Sequence, residues 1–115
     1  MATFLKPKKL ARGDSIAVLS PSAGLPSSFP YIFDNGLQIL KDWGLKVKEY
    51  PTARMDLNFL RQNPKIRAKD INVAFADPEI KAIITSTGGD DSVRILPFLD
   101  KEKMRVIKER QKFLQ

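Results

Sequence analysis

Residues 80–92 read Ile80-Lys81-Ala82-Ile83-Ile84-Thr85-Ser86-Thr87-Gly88-Gly89-Asp90-Asp91-Ser92, and this stretch decides the fold. The run 80–87 is apolar enough to read as a strand covered on both faces of a parallel sheet. Gly88-Gly89 ends it, and Asp90-Asp91-Ser92 reads as the cap of a short helix carrying Val93, Leu96 and Leu99. Apolar strand, glycine turn and helix together are the unit from which doubly wound α/β sheets are built.

The same grammar recurs upstream. Ser15-Ile16-Ala17-Val18-Leu19-Ser20, between Gly13-Asp14 and Pro21, is a second buried strand, and residues 22–28 follow as a loop of turn formers. A helix is expected from Ser27 or Ser28, with Pro30 in its first turn and Gly44 as its C-terminal glycine. Phe29, Ile32, Phe33, Leu37, Leu40 and Trp43 share one face of it, which places the aromatic residues Phe29, Phe33 and Trp43 in the core. Leu45-Lys46-Val47-Lys48-Glu49-Tyr50 alternates apolar and polar, as a strand near a sheet edge does. A short helix is expected around residues 56–60. A longer one should enter at Asn63-Pro64 and end at Asp77-Pro78, with Ile66, Ala68, Ile71, Ala74 and Phe75 buried.

Downstream, a basic helix is expected over residues 101–111, and Lys112-Phe113-Leu114-Gln115 can open a fourth strand. The alternation of strand and helix predicts parallel strands joined by right-handed crossovers. The expected sheet is doubly wound, of flavodoxin-like order 2-1-3-4.

With 115 residues, 43% hydrophobic and 29% charged, the chain has the size and composition of one domain. No run is long enough to span a bilayer, and the basic start lacks the apolar core of a secretion signal, so a cytoplasmic protein is expected. The net charge of +7 raises the question of nucleic acid, but the excess sits at the ends. Residues 1–12 carry four basic and no acidic side chains, residues 101–115 six against two, and residues 13–100 ten against eleven. With no zinc pattern and no aromatic RNA-binding box, solvated termini explain the charge better than specific nucleic-acid binding.

The chain contains no cysteine and no histidine. Disulfides and thiolate metal sites are excluded, and so are the usual general base near neutral pH and the commonest metal ligand. No acidic residues cluster in a metal-type pattern, and no metal or other cofactor is expected.

In a 2-1-3 sheet the loops after the first and third strands diverge at the switch point, where ligands bind. Those loops hold Pro21-Ser22-Ala23-Gly24 and Thr87-Gly88-Gly89-Asp90-Asp91. Two glycines let a ligand approach the main chain, and a helix starting at Asp90 would aim free N–H groups at an anion or oxyanion. The same pattern is also a plain strand-to-helix turn with Asp90 or Asp91 as its cap, and Ser22 reads as a turn serine before it reads as a nucleophile.

Three blocks resemble one family. LARGDSIAVLSPSAG (residues 10–24), LQILKDWGLKVKEYPTA (37–53) and RAKDINVAFADPEIKAIITSTGGDDSVRILPFLD (67–100) are similar to successive blocks of the N-terminal domain of LD-carboxypeptidases. These serine peptidases trim murein tetrapeptides, and the family includes the microcin C immunity proteins. The resemblance covers roughly residues 10–100 and implies a two-domain cytoplasmic hydrolase, usually a homodimer, with a Ser-Glu-His triad. It implies that Gly88, Gly89 and Asp90 line the pocket and that Gly89 supplies one oxyanion-hole N–H; Ser22, on the other switch-point loop, is a further candidate for the substrate-binding edge.

The family's nucleophile elbow, Gly-Tyr-Ser-Asp or Gly-Phe-Ser-Asp, would follow residues 108–115, and its glutamate and histidine belong to the second domain. The expectation is therefore an incomplete N-terminal domain over residues 1–115, with no catalytic residue of its own, inert alone. The alternative is a non-catalytic peptide-binding or assembly module that complements a partner chain. Either way, an unpaired strand edge should favour a dimer, a domain exchange or marginal stability.

Overall fold

A computed structural model describes residues 6–102 and 104. β1, Ser15–Leu19, lies between β2, Lys46–Glu49, and β3, Ile80–Thr85, in a parallel sheet of order β2-β1-β3. Ile16 pairs with Val47 on one side and with Ala82 on the other. The order and the direction of the three strands agree with the sequence reading. The expected fourth strand and most of the basic helix lie outside the described residues.

Helices cover both faces. α1 is a single turn, Leu25–Ser28, and α2 runs from Pro30 to Asp42; α3, Leu57–Gln62, and α4, Pro64–Ala76, precede β3. Two 3-10 segments are also present among the described residues, Pro51–Arg54 after β2 and Asp91–Phe98 after β3. The α4 face of the sheet closes over Ala17, Leu19, Tyr50, Ala74 and Ile80, with Ile71 and Ile83 packed against them. Alternation along β1 turns Val18 to the other face, where it lines a cavity of about 320 Å³ together with Phe33 and Leu37 of α2.

Local chemistry explains several boundaries. α2 starts at Pro30, whose missing N–H is one the first turn cannot use. It stops at Gly44, which takes φ +89°. There Gly44 N donates to Lys41 O at 2.9 Å and Leu45 N to Leu40 O at 3.3 Å, the paired bonds of a Schellman stop. Asp56 caps α3 by accepting from Phe59 N at 2.8 Å.

Three expectations are corrected. A break at Phe29 separates α1 from α2, where one helix from Ser27 or Ser28 was expected. The aromatic stripe is not core: Phe29 is 53% exposed and Trp43 63%, and Leu37 alone of that face is fully buried. Among the described residues the sheet has three short strands, and burial along the 13-residue α2 is confined to its middle. On α4 the buried residues are Arg67, Ala68, Asp70 and Ala74, while Ile66, Ile71 and Phe75 are half-buried.

Tyr50, at the end of β2, is buried, and its hydroxyl has no hydrogen-bond partner among the described residues. Burial raises its pKa above the ordinary phenol value, and the charges of Asp77 and Asp70 push in the same direction.

Candidate functional site

β1 and β3 end side by side, and the ladder continues one step past them, with Ser86 N donating to Leu19 O at 2.9 Å. A buried polar chain then fixes where the loops leave. Ser20 N donates to Thr52 Oγ1 at 2.9 Å, and Thr52 N donates to Asp70 Oδ2 at 2.8 Å. Ser20 Oγ donates to Ala53 O at 3.3 Å and lies 2.6 Å from Ser86 Oγ. With its one proton directed at Ala53, Ser20 Oγ accepts from Ser86. β1, the Pro51–Arg54 turn, α4 and β3 thus meet through groups that burial obliges to pair.

Arg67 of α4 ties the two loops to each other. Its side chain is fully buried, Nη1 donates to Pro21 O at 3.0 Å and to Asp91 O at 3.3 Å, and Nη2 stands 2.8 Å from Asp91 Oδ2. One cation therefore holds the β1 loop through a carbonyl and the β3 loop through a carbonyl and a carboxylate.

That clamp brings Ser22 against Gly89. Gly89 has φ +151°, and a β-carbon there would lie 2.6 Å from Ser22 Oγ. Only glycine allows this approach and this backbone angle together. Ser22, Gly89 and Asp90 line one cleft of about 440 Å³ with Arg61, Asp91 and Arg94 among its other walls. Gly88 is exposed, has open space where a β-carbon would stand, and does not line the cleft. Neither Gly88 N nor Gly89 N donates to another backbone group among the described residues.

Ser22 is 2% exposed and its Oγ has no hydrogen-bond partner among the described residues. A nucleophilic serine needs a base within hydrogen-bond reach, so this geometry is that of a packed turn serine. The segment after β3 differs from the expected helix. It is a 3-10 helix interrupted by Pro97, and Asp90 makes no side-chain cap bond. Asp91 uses its carboxylate on Arg67 instead. Val93 is 62% and Leu96 48% exposed, and Ile95 is the buried residue. The tighter turn moves the apolar face by one residue and does not provide the α-helical N-terminus expected at Asp90.

Sequence reasoning missed Arg61, Arg67 and Arg94, the three cations around the cleft. Pro97 was an available signal that the last segment is not α-helical. Among the described residues, no group of three or more acidic side chains could hold a metal, and no helix is long and apolar enough to cross a membrane.

A parallel 2-1-3 sheet with glycine-containing loops at its switch point defines the α/β class of domain, in which ligands generally bind at the strand ends. The LD-carboxypeptidase N-terminal domain matches residues 16–114, and the chain belongs to that family. A Streptomyces coelicolor protein named as a carboxypeptidase is 32% identical over 108 residues, 91% of this chain and 34% of the relative. A Bacillus subtilis protein named for murein peptide carboxypeptidase activity is 32% identical over 95 residues, 83% of this chain and 29% of the relative. The microcin C7 self-immunity protein MccF of Escherichia coli is 37% identical over 93 residues, 79% of this chain and 26% of its own. The chain thus spans about a third or less of the relatives' length.

Solved structures agree. MccF in complex with aspartyl sulfamoyl adenosine superposes with a TM-score of 0.77 at 30% identity, over 89% of this chain and 30% of that one. An MccF-like protein of Streptococcus pneumoniae in complex with AMP gives 0.74 at 32% identity, over 83% and 29%.

Proposed function

We propose that this chain, as one domain, forms the ligand-facing front of an LD-carboxypeptidase N-terminal domain and does not hydrolyse peptides by itself. Ser22, Gly88, Gly89 and Asp90 form the peptide-binding edge, and Gly89 N–H is one donor to the oxyanion of the tetrahedral intermediate. The observation that carries this reading is the close approach of Gly89 to Ser22 at the switch point, with the Gly88 and Gly89 N–H groups left without backbone acceptors among the described residues. Two features support the lack of hydrolysis: the sequence has no histidine, and Ser22 is buried with no hydrogen-bond partner among the described residues.

The substrate class is a murein tetrapeptide or a related peptide antibiotic, met in the cytoplasm during peptidoglycan recycling. The names of the Bacillus subtilis and Escherichia coli relatives support this class. The test replaces the matching third of the Bacillus subtilis relative with this chain and measures release of the terminal residue from a murein tetrapeptide. The chimera should cleave, and Gly89→Val should abolish cleavage. Cleavage by the chain alone, lost when Ser22 is changed to Ala, would contradict the reading.

Self-association belongs to the same proposal. β3 has β1 as its only strand partner among the described residues, and α2 presents Tyr31 and Ile32, with Trp43 at its end, to solvent. Such an edge and apolar row favour a homodimer or an exchanged segment. Light scattering should find a species above monomer mass at micromolar concentration. A monomer unfolding cooperatively above about 70 °C, beyond the usual mesophile range, would count against it.

A further inference from the structure

α2 carries two apolar stripes, and the sheet uses one of them. Phe33, Leu37 and Leu40 form the inner stripe and border the same cavity as Val18 and Ile84, with Leu37 buried. The second stripe runs through Phe29, Ile32, Gly36, Ile39 and Trp43. Its spacings of three, four, three and four residues keep all five positions on one seam of the helix. Phe29 and Trp43 stand at the two ends of α2 as its caps, and the seam includes no charged residue. Phe29, Ile32, Ile39 and Trp43 are 53, 70, 50 and 63% exposed, which for side chains of that size is roughly 500 Å² of apolar surface. A contiguous apolar patch of that size commonly marks a contact site.

Gly36 lies at the centre of the seam, and nothing among the described residues requires a glycine there. It stands in mid-helix, where glycine is a poor choice. It does not take a positive φ, and a β-carbon added to it would meet nothing within 4 Å. Open space above a glycine lets a second backbone come close. The seam also reads alike in both directions from Gly36: an isoleucine three or four positions away, and an aromatic residue seven away. A two-fold axis through Gly36 therefore sets Phe29 against Trp43 of a second copy at both ends, with Ile32 beside Ile39 of that copy. Helices that cross at a small residue splay toward their ends, and the larger aromatic side chains stand where that space widens. Two such seams together bury roughly 1,000 Å², the size at which a specific interface begins.

We infer that α2 is a self-docking surface, on which two copies of this chain pair their helices antiparallel along residues 29–43 and cross at Gly36. The inference rests on the self-association reading and deepens it, by placing the contact on the helix seam and not on the β3 edge.

The sequence has one tryptophan, Trp43, and no cysteine, so fluorescence and an engineered disulfide both report from the seam alone. In a dilution series followed by sedimentation, the parent should pass from dimer to monomer, with Trp43 emission moving to the red as it does. Ile39→Lys should weaken the dimer about tenfold or more, as a charge set into an apolar contact does. The unfolding midpoint of the dilute monomer should not change, because Ile39 is half exposed. Gly36→Cys under a mild oxidant should give a disulfide-linked dimer, since at the crossing the two α-carbons come within the roughly 4–7 Å that a disulfide spans. Gln38→Cys, away from the seam, should not.

A dimer that survives Ile39→Lys and leaves Gly36→Cys unlinked would overturn the helix seam and return the contact to the β3 edge, with the self-association reading intact. Blue-shifted Trp43 emission in the monomer, insensitive to dilution, would overturn it too, by showing that the chain's own residues cover the seam. A parent that stays monomeric up to millimolar concentration would overturn the self-association reading and this inference together.

Discussion

Arg67 Nη2 stands 2.8 Å from Asp91 Oδ2, and the two partners are buried very unequally: the Arg67 side chain is fully buried, while that of Asp91 is 29% exposed. The ion pair is therefore asymmetric in what each partner loses when the other is removed. Asp91 stripped of its arginine can turn toward water, but Arg67 stripped of its carboxylate remains a charge inside the protein.

This asymmetry gives the first prediction. Asp91→Ala should destabilise the domain by about 3 kcal/mol or more, the cost of an uncompensated buried ion. Arg67→Met, which removes the charge and keeps the volume, should cost clearly less. Urea unfolding of both variants and of the double variant measures the difference. Equal losses in the two single variants would contradict the account.

The Ser22–Gly89 approach gives the second. Gly89→Ala should cost about 1–3 kcal/mol through backbone strain and the close contact with Ser22 Oγ. Ser22→Ala should be neutral or slightly stabilising, because its buried hydroxyl is unpaired within the described structure. The double variant should recover part of the loss, a coupling on the order of 1 kcal/mol in a double-mutant cycle. Strict additivity would place the cost of Gly89→Ala elsewhere.

Gly24 gives the third, from space rather than backbone angle. A β-carbon there would run into the main-chain carbonyl of Met55 and would stand 2.9 Å from Leu60 Cδ1. A carbonyl cannot rotate aside as a side chain can, so Gly24→Ala should cost about 1–3 kcal/mol, as overpacking does. Thermal unfolding measures it, and an unchanged midpoint would show that the β1 loop and α3 can part freely.

Tyr50 gives the fourth. Its folded pKa is raised, so the folded state holds the phenol proton more tightly than the unfolded chain. That contribution is fully present below the ordinary phenol pKa of about 10 and is lost as pH rises through the higher folded value. Tyr50→Phe should match or slightly exceed the parent's stability near neutral pH and should fall less steeply above about pH 10. Denaturant unfolding across that window, parent against variant, isolates the contribution of the phenol.

The sheet was legible because its signals are local. The apolar runs of β1 and β3, the alternation of β2 and the Gly44 stop each follow from a few neighbouring residues. The clamp was not. Arg67 and Asp70 sit on the buried side of α4 beside Ala68 and Ala74, and a reading that sorts residues by polarity sends both to solvent. α4 offers little periodicity to correct it, since its apolar and polar residues are spread almost evenly around the axis. Arg67 is buried because Pro21 and Asp91, distant in sequence, supply its acceptors. α2 failed in the opposite sense: its apolar face is real, but the described sheet is too narrow to cover Phe29 and Trp43. The glycine edge itself could be read from sequence, whereas Arg61 and Arg94 enter the cleft through the path of the chain between β2 and β3 and around Pro97.

The reach of Arg67 also bears on the order in which the molecule assembles. Its contacts span 46 residues back to Pro21 and 24 forward to Asp91, so the chain must close both loops around α4 before either contact forms. Closing them costs entropy that nothing local offsets beforehand. The β2-β1 pair and α2 can organise first, and the cleft is then the last part of the domain to take shape during folding. In a refolding experiment followed by pulsed hydrogen exchange, the amide of Val93, which donates to Asp90 O, should acquire protection after those of Ala17 and Val18. The cleft between the β1 and β3 loops would then be the latest product of folding, and the earliest to dissolve when the domain begins to open.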